Sequence, residues 1–215
     1  IYIPIIKDMT AIYTALQTGQ IDASYVELQP ELVEQFRSDS KMGILEGPGF
    51  VTNLLYFNLE KYPFSNKEFR EALVKAVNVQ EIVDVVMLGQ ATVGSQGFVH
   101  PALSTYNSNV NKPAFSLDEA NAILDRIGFV DKDGDGIRES DQGDKLDFTV
   151  MAYSSNPSRV RIAELVKEWY AKIGVNVTVA ALDAQLVDDK VWPEYEAKNG
   201  RDFDMVIFGW GSSTM

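Results

Sequence analysis

A chain of 215 residues, 46% of them hydrophobic, is long enough to bury a sizeable core in one domain or two. Nineteen Lys and Arg against 31 Asp and Glu leave a net charge of −12, which disfavours a nucleic-acid partner, since that partner asks for a basic stripe. With no cysteine, disulfides, thiolate catalysis and cysteine zinc sites are excluded, and no apolar run approaches the ~18 residues of a membrane-spanning helix.

Ile1-Tyr2-Ile3-Pro4-Ile5-Ile6 has neither an initiating Met nor a basic flank; it is no signal peptide and reads as a strand. Asp8 is placed to cap a short helix carrying Ile12, Ala15 and Leu16 and stopped at Gly19. Residues 21–26 read as a strand, and Pro30 as the first turn of a helix bearing Leu32, Val33 and Phe36. Residues 42–45 and 52–59 read as strands on either side of a Gly-Pro-Gly turn.

Ser65-Asn66-Lys67-Glu68 predicts a capping box, with Phe69, Ala72, Leu73, Ala76 and Val77 following at helical spacing. A helix over 80–88 ends at Gly89, and residues 89–115, rich in Gly, Pro, Ser and Asn, form a long loop of the kind that often carries function. Ser116 and Glu119 make a second capping box. After an acidic turn come a strand over 146–153 and the longest helix, opened by Asn156-Pro157, with Ile162, Leu165, Val166, Trp169 and Ile173 as its apolar stripe. Val175, Val177 and Val179 alternate with polar or small residues as in a half-buried strand. Residues 185–198 read as a helix that Pro193 should bend or break, and 203–209 as the last strand. Strands alternating with helices predict a single α/β domain over 1–215, a mixed β-sheet flanked by helices.

The last strand delivers Trp210 between Gly209 and Gly211, a ring with no neighbouring side chains at the point where the strand leaves the sheet. That arrangement suits stacking on a ligand, with filling of the core as the alternative. Tyr56, Phe57 and Trp192 are further aromatic candidates, whereas Trp169 belongs to a helix stripe and fills core. Opening and closing on strands leads us to expect a piece of a longer protein.

Asp131-Lys132-Asp133-Gly134-Asp135-Gly136 begins like a calcium loop, but the twelfth position is Gln142, where a bidentate carboxylate is needed. A solvated acidic turn is the better reading, and no metal or cofactor is expected. His100, the sole histidine, has no catalytic partner at a motif spacing and reads as a loop residue near a ligand or the surface. Neither a Gly-x-Ser-x-Gly elbow nor a phosphate-cradling glycine pattern is present. Among 31 acidic residues some carboxylate pair can always be nominated, so a hydrolase carries little weight and no enzyme is expected.

Four stretches, in order, resemble one family. Thr14-Ala15-Leu16-Gln17-Thr18-Gly19-Gln20-Ile21-Asp22 is similar to its helix-to-strand element. Tyr56-Phe57-Asn58, Pro63-Phe64, Phe69-Arg70-Glu71-Ala72-Leu73 and Ala76-Val77-Asn78 resemble a second block. Asp133-Gly134-Asp135-Gly136-Ile137-Arg138 resembles its acidic loop, and Asp202-Phe203-Asp204 through Gly209-Trp210-Gly211 its strand ending in Trp. The family is the extracytoplasmic solute-binding proteins (family 5) of peptide and nickel ABC importers. The resemblance implies a two-lobed protein of periplasmic-binding type II architecture, of which this chain is the second, inserted lobe. It further implies a peptide or oligosaccharide enclosed against a missing first lobe, docking on an ABC permease, a periplasmic or cell-surface location, and membrane attachment only through the permease or a lipid anchor elsewhere. The residues implied to line the ligand are Trp210, Gly211, Ser212 and Ser213, with His100 a weaker choice. Peptide binders of the family carry Asp three residues after that Trp. Ser213 stands there instead, and a neutral hydroxyl cannot give an ammonium group a charge-assisted bond.

Overall fold

The computed structural model describes residues 1–215 apart from 7, 26, 27, 48, 50, 95, 96, 98, 102, 111, 194–200 and 212–215. The chain groups into two units, Ile1–Gly47 and Pro48–Met215.

In the first unit Asp8 caps helix α1, Met9–Gln17, its carboxylate accepting from the Ala11 amide at 2.8 Å. A 3-10 turn, Pro30–Leu32, leads into α2, Val33–Ser38. Tyr13 and Phe36 meet edge to face at 6.0 Å and, with Ile12, make a small core against which Ile6, Ile21, Met42 and Ile44 pack. The strands expected over 1–6, 21–26 and 42–45 do not form in the residues described there. An apolar β-branched run becomes a strand only where a neighbour completes its ladder. Here Ile6, Ile21, Met42 and Ile44 reach the core from irregular backbone, while Ile1, Tyr2, Ile3, Ile5 and Leu45 are exposed.

The second unit is a four-stranded mixed sheet in the order β1-β4-β2-β3. Strand β1, Val51–Phe57, runs antiparallel to β4, Met205–Gly211. Strand β2, Asp147–Tyr153, is parallel to both β4 and β3, Asn176–Leu182. One face carries the main core, in which Phe64, Phe69, Phe129 and Phe148 pack ring on ring, with Phe64 and Phe148 only 4.7 Å apart. Helices α3, Lys67–Lys75, α5, Leu117–Arg126, and α6, Pro157–Ala171, cover that face. Trp169 is buried, as its stripe position predicts. The opposite face is covered by α7, Ala184–Val191, through Val187 and Val191 over Met151 and Val206.

The caps follow the sequence closely. Ser116 accepts from the Glu119 amide and Asn156 from the Arg159 amide. The first box shifts by one residue: Asn66, not Ser65, caps α3, accepting from the amides of Glu68 and Phe69. Residues 79–86 form one helical turn, α4 (Val79–Glu81), that widens into a π-turn, Ile82–Val86. Helix α7 stops at Val191, two residues before Pro193, whose ring would clash with a continued helix.

Candidate functional site

Strand β4 sets the site because its side chains alternate between the two faces of the sheet. Met205 and Ile207 enter the main core, while Val206 joins the α7 face. Gly209 continues the first series. A Cβ added there would lie 2.0 Å from Nη2 of Arg159 and 3.3 Å from Oδ1 of Asn53. Arg159, in the first turn of α6, therefore lies directly on the strand, its Nε donating to Asn53 Oδ1 at 3.0 Å and its guanidinium 5.7 Å from the Tyr153 ring. Only glycine at 209 leaves room for this approach.

Phe208 and Trp210 continue the other series, on the α7 face. Phe208 is ringed by Tyr153 at 5.5 Å, Trp192 at 6.3 Å and Tyr56 at 6.4 Å, each edge-on to it. The Tyr153 hydroxyl donates to Asp188 Oδ1 at 2.6 Å. Burial above all, then this bond and the Asp188 charge, raise its pKa against the opposing pull of Arg159; burial alone raises that of Tyr56. Trp210 is 46% exposed and stands opposite Thr52 in the β1 ladder, with Gly211 opposite Val51. A Cβ on Gly94 would touch Thr52 Cγ2 at 3.7 Å, so the long loop reaches the same strand pair. His100, six residues further along that loop, is half-buried, and its carbonyl accepts from the Leu103 amide at 3.0 Å. Ser212 and Ser213 lie outside the described residues.

Thus the structure brings together Trp210, Gly211 and the start of the long loop. It adds Arg159, Asn53, Phe208, Tyr153 and Asp188, which sequence reasoning did not single out. For Phe208 the alternation with Trp210 was a usable signal; for Arg159 and Asn53 none was, because they meet across 106 residues.

The remaining motifs make contacts within the fold. Asn58 is buried; its Nδ2 donates to the carbonyls of Phe203 at 2.9 Å and Arg201 at 3.2 Å, and its Oδ1 accepts from the Glu60 amide. Asp204 pairs with Lys61 and accepts from the Thr149 amide at 2.9 Å. An open cavity of about 260 Å³ beside this pair is lined by Met151, Ala180 and Leu182 and by the ion pair Lys190–Asp202. It lies near the start of β4, about 20 Å of extended strand from Trp210.

In the acidic turn, Asp131, Asp133 and Glu139 each bring one carboxylate oxygen within 4.8 Å of one another. The loop's own amides bond two of these carboxylates. Asp131 accepts from the amides of Gly134 and Gly136, and Glu139 from that of Lys132. Asp135, the third aspartate of the sequence motif, is paired with Lys145, whose ammonium also lies 2.9 Å from Asp133.

Among the described residues no helix is long and apolar enough to cross a membrane. The family model described as bacterial extracellular solute-binding proteins, family 5 Middle, matches residues 1–215. Heme-binding protein A of Haemophilus influenzae is 29% identical over 212 residues, which are 97% of this chain and 35% of that protein. The oligopeptide-binding protein AppA from Bacillus subtilis, solved with a nonapeptide, superposes with a TM-score of 0.82 at 25% identity, over 98% of this chain and 40% of that one. NikZ from Campylobacter jejuni, solved with Ni(L-His), gives 0.80 at 28% identity, over 96% and 38%. The chain spans only 35% of the length of the first relative. A mixed sheet flanked by helices, carrying the four sequence motifs in order and matched end to end by that family model, establishes that the chain belongs to the bacterial extracellular solute-binding proteins, family 5.

Proposed function

We propose that this chain is one lobe of a two-lobed solute-binding protein that captures a peptide or similar small solute outside the cytoplasm, without catalysis, for delivery to an ABC permease. The ligand lies against the Trp210–Gly211 end of β4, with Ser212, Ser213 and His100 lining the approach and the other lobe closing over it. The observation that carries this reading is the half-exposed Trp210 between two glycines, at the end of a strand in the middle of the sheet. A large apolar ring left open to solvent by a rigid support is what a stacking contact requires. The nonapeptide held by AppA and the Ni(L-His) held by NikZ both accord with solute capture. One lobe cannot bury both sides of a ligand, so affinity should belong to the whole protein.

Calorimetry of the whole protein against a panel of di- to nonapeptides is the test. Binding that weakens roughly tenfold in Trp210→Ala is expected from the loss of one stacking contact. Binding indifferent to Trp210→Ala would overturn the proposed site, and no binding to any peptide would overturn peptide capture.

A further inference from the structure

Trp192 is 49% exposed although it sits beside a hydrophobic cluster. It is the C-cap of α7, and its backbone amide donates to the Asp188 carbonyl at 2.7 Å. The Asp188 carboxylate in turn holds the Tyr153 hydroxyl at the end of β2. Val187 and Val191 anchor the same helix in the core beneath. The helix end that carries the indole is therefore anchored by its core valines, by the Trp192 amide and by the Asp188–Tyr153 bond, while about half of Trp192 faces solvent. A residue serving only to fill core would be buried, as Trp169 is.

The indole meets Phe208 at 6.3 Å, edge-on at 76°. Phe208 and Trp210 are successive residues on one face of β4, about 7 Å apart along the strand. Phe208 thus has one half-exposed indole against its ring and a second two residues along its strand, and Tyr56 and Tyr153 also meet the ring edge-on. We propose that Trp192 and Trp210 are two walls of a single stacking site over Phe208, and that the site takes a flat ring of the solute: an aromatic side chain of a peptide or the apolar face of a sugar. This rests on the solute-capture reading above and specifies which part of the solute the edge selects. Stacked and edge-on ring contacts favour such flat groups over flexible aliphatic chains, which gain burial but no ring–ring geometry. Anchoring the end of α7 through Asp188, Val187 and Val191 lowers the ordering cost of binding.

The test is calorimetry of the whole protein with tri-alanine, Ala-Phe-Ala and maltohexaose, on wild type, Trp192→Ala, Trp192→Phe and Trp210→Ala. Thermal melts first verify that each variant is folded; Trp192→Phe keeps a ring and serves if Trp192→Ala does not fold. In wild type we expect a ring-bearing probe to bind more tightly than tri-alanine. Trp192→Ala should cost that probe roughly tenfold and tri-alanine little, with Trp192→Phe recovering most of the loss. Whichever of Ala-Phe-Ala and maltohexaose shows the loss identifies the source of the ring. If Trp210→Ala weakens binding while Trp192→Ala and Trp192→Phe leave every probe unchanged, the two-wall site is overturned and solute capture stands. Wild type binding none of the three probes, nor the peptide panel, overturns the capture reading and this proposal with it.

Discussion

The side-chain amide of Asn58 donates to the backbone carbonyl of Phe203 at 2.9 Å, across 145 residues of sequence. It joins the end of β1 to the entry of β4, and the Asn58 amide completes the clamp by donating to the Asp204 carbonyl. Two of the sequence motifs are thus partners in one structural joint. They hold the β1–β4 register that sets Trp210 opposite Thr52.

Asn58→Ala removes a buried amide and leaves the Phe203 and Arg201 carbonyls without it. The expected loss is about 2–3 kcal/mol, the usual cost of orphaning buried polar groups. A urea melt should show a lower midpoint at unchanged slope; an unchanged midpoint would mean that water replaces the amide without penalty.

Tyr170 is fully buried, and its hydroxyl has no hydrogen-bond partner among the described residues. Burial accordingly raises its pKa. Tyr170→Phe deletes an unsatisfied polar atom and should be neutral or stabilise by up to about 1–2 kcal/mol. A thermal melt in which the variant loses stability would reveal a bond, for instance to an internal water.

Gly174 and Gly209 should respond differently to alanine. Gly174 has φ +73°, and its added Cβ would lie 2.7 Å from Cγ of Arg138. That arginine cannot easily yield, being bonded to the carbonyls of Ile173 and Phe129 and to Asn121 and Asp125. We expect Gly174→Ala to cost about 2–3 kcal/mol. Gly209→Ala instead displaces the far end of Arg159 and presses on Asn53 Oδ1 by a few tenths of an ångström. It should leave the melting point nearly unchanged and alter ligand affinity, which calorimetry beside the melt would separate.

The acidic turn should lose its internal ion pair at low pH. Lys145, chiefly by its hydrogen bond, holds the Asp135 carboxyl below the usual carboxylate range, and Asp135 and then Asp133 raise the Lys145 pKa. A depressed carboxyl contributes stability above its unfolded pKa, lost as pH falls through the folded value; a raised lysine contributes below its unfolded pKa, lost as pH rises through the folded one. The pair therefore acts between about pH 4 and pH 10. Lys145→Gln should lower the melting temperature slightly at pH 7. The gap should shrink below about pH 4 and in high salt, because these groups are exposed. A gap independent of both would show that packing, not charge, sets it.

Local chemistry was legible in the sequence wherever one segment decides its own form. Asp8, Ser116 and Asn156 cap helices because a short polar side chain reaches an amide two or three residues on. Trp169 is buried because its helix has one apolar stripe. β3 forms where Val175, Val177 and Val179 alternate. The apolar runs at 1–6, 21–26 and 42–45 misled for the same reason: a strand needs a ladder partner, and composition does not supply one.

The sequence by itself determined that β4 ends in a ring between glycines, since the alternation and the Gly-Trp-Gly order are local. Only the tertiary structure decided what the rest of β4 meets: Arg159 lying on Gly209, Asn58 clamping the entry to the strand, and Trp192 edge-on to Phe208. These contacts bring together residues far apart in the chain, and their geometry follows from strand order and helix packing rather than from any spacing the sequence displays.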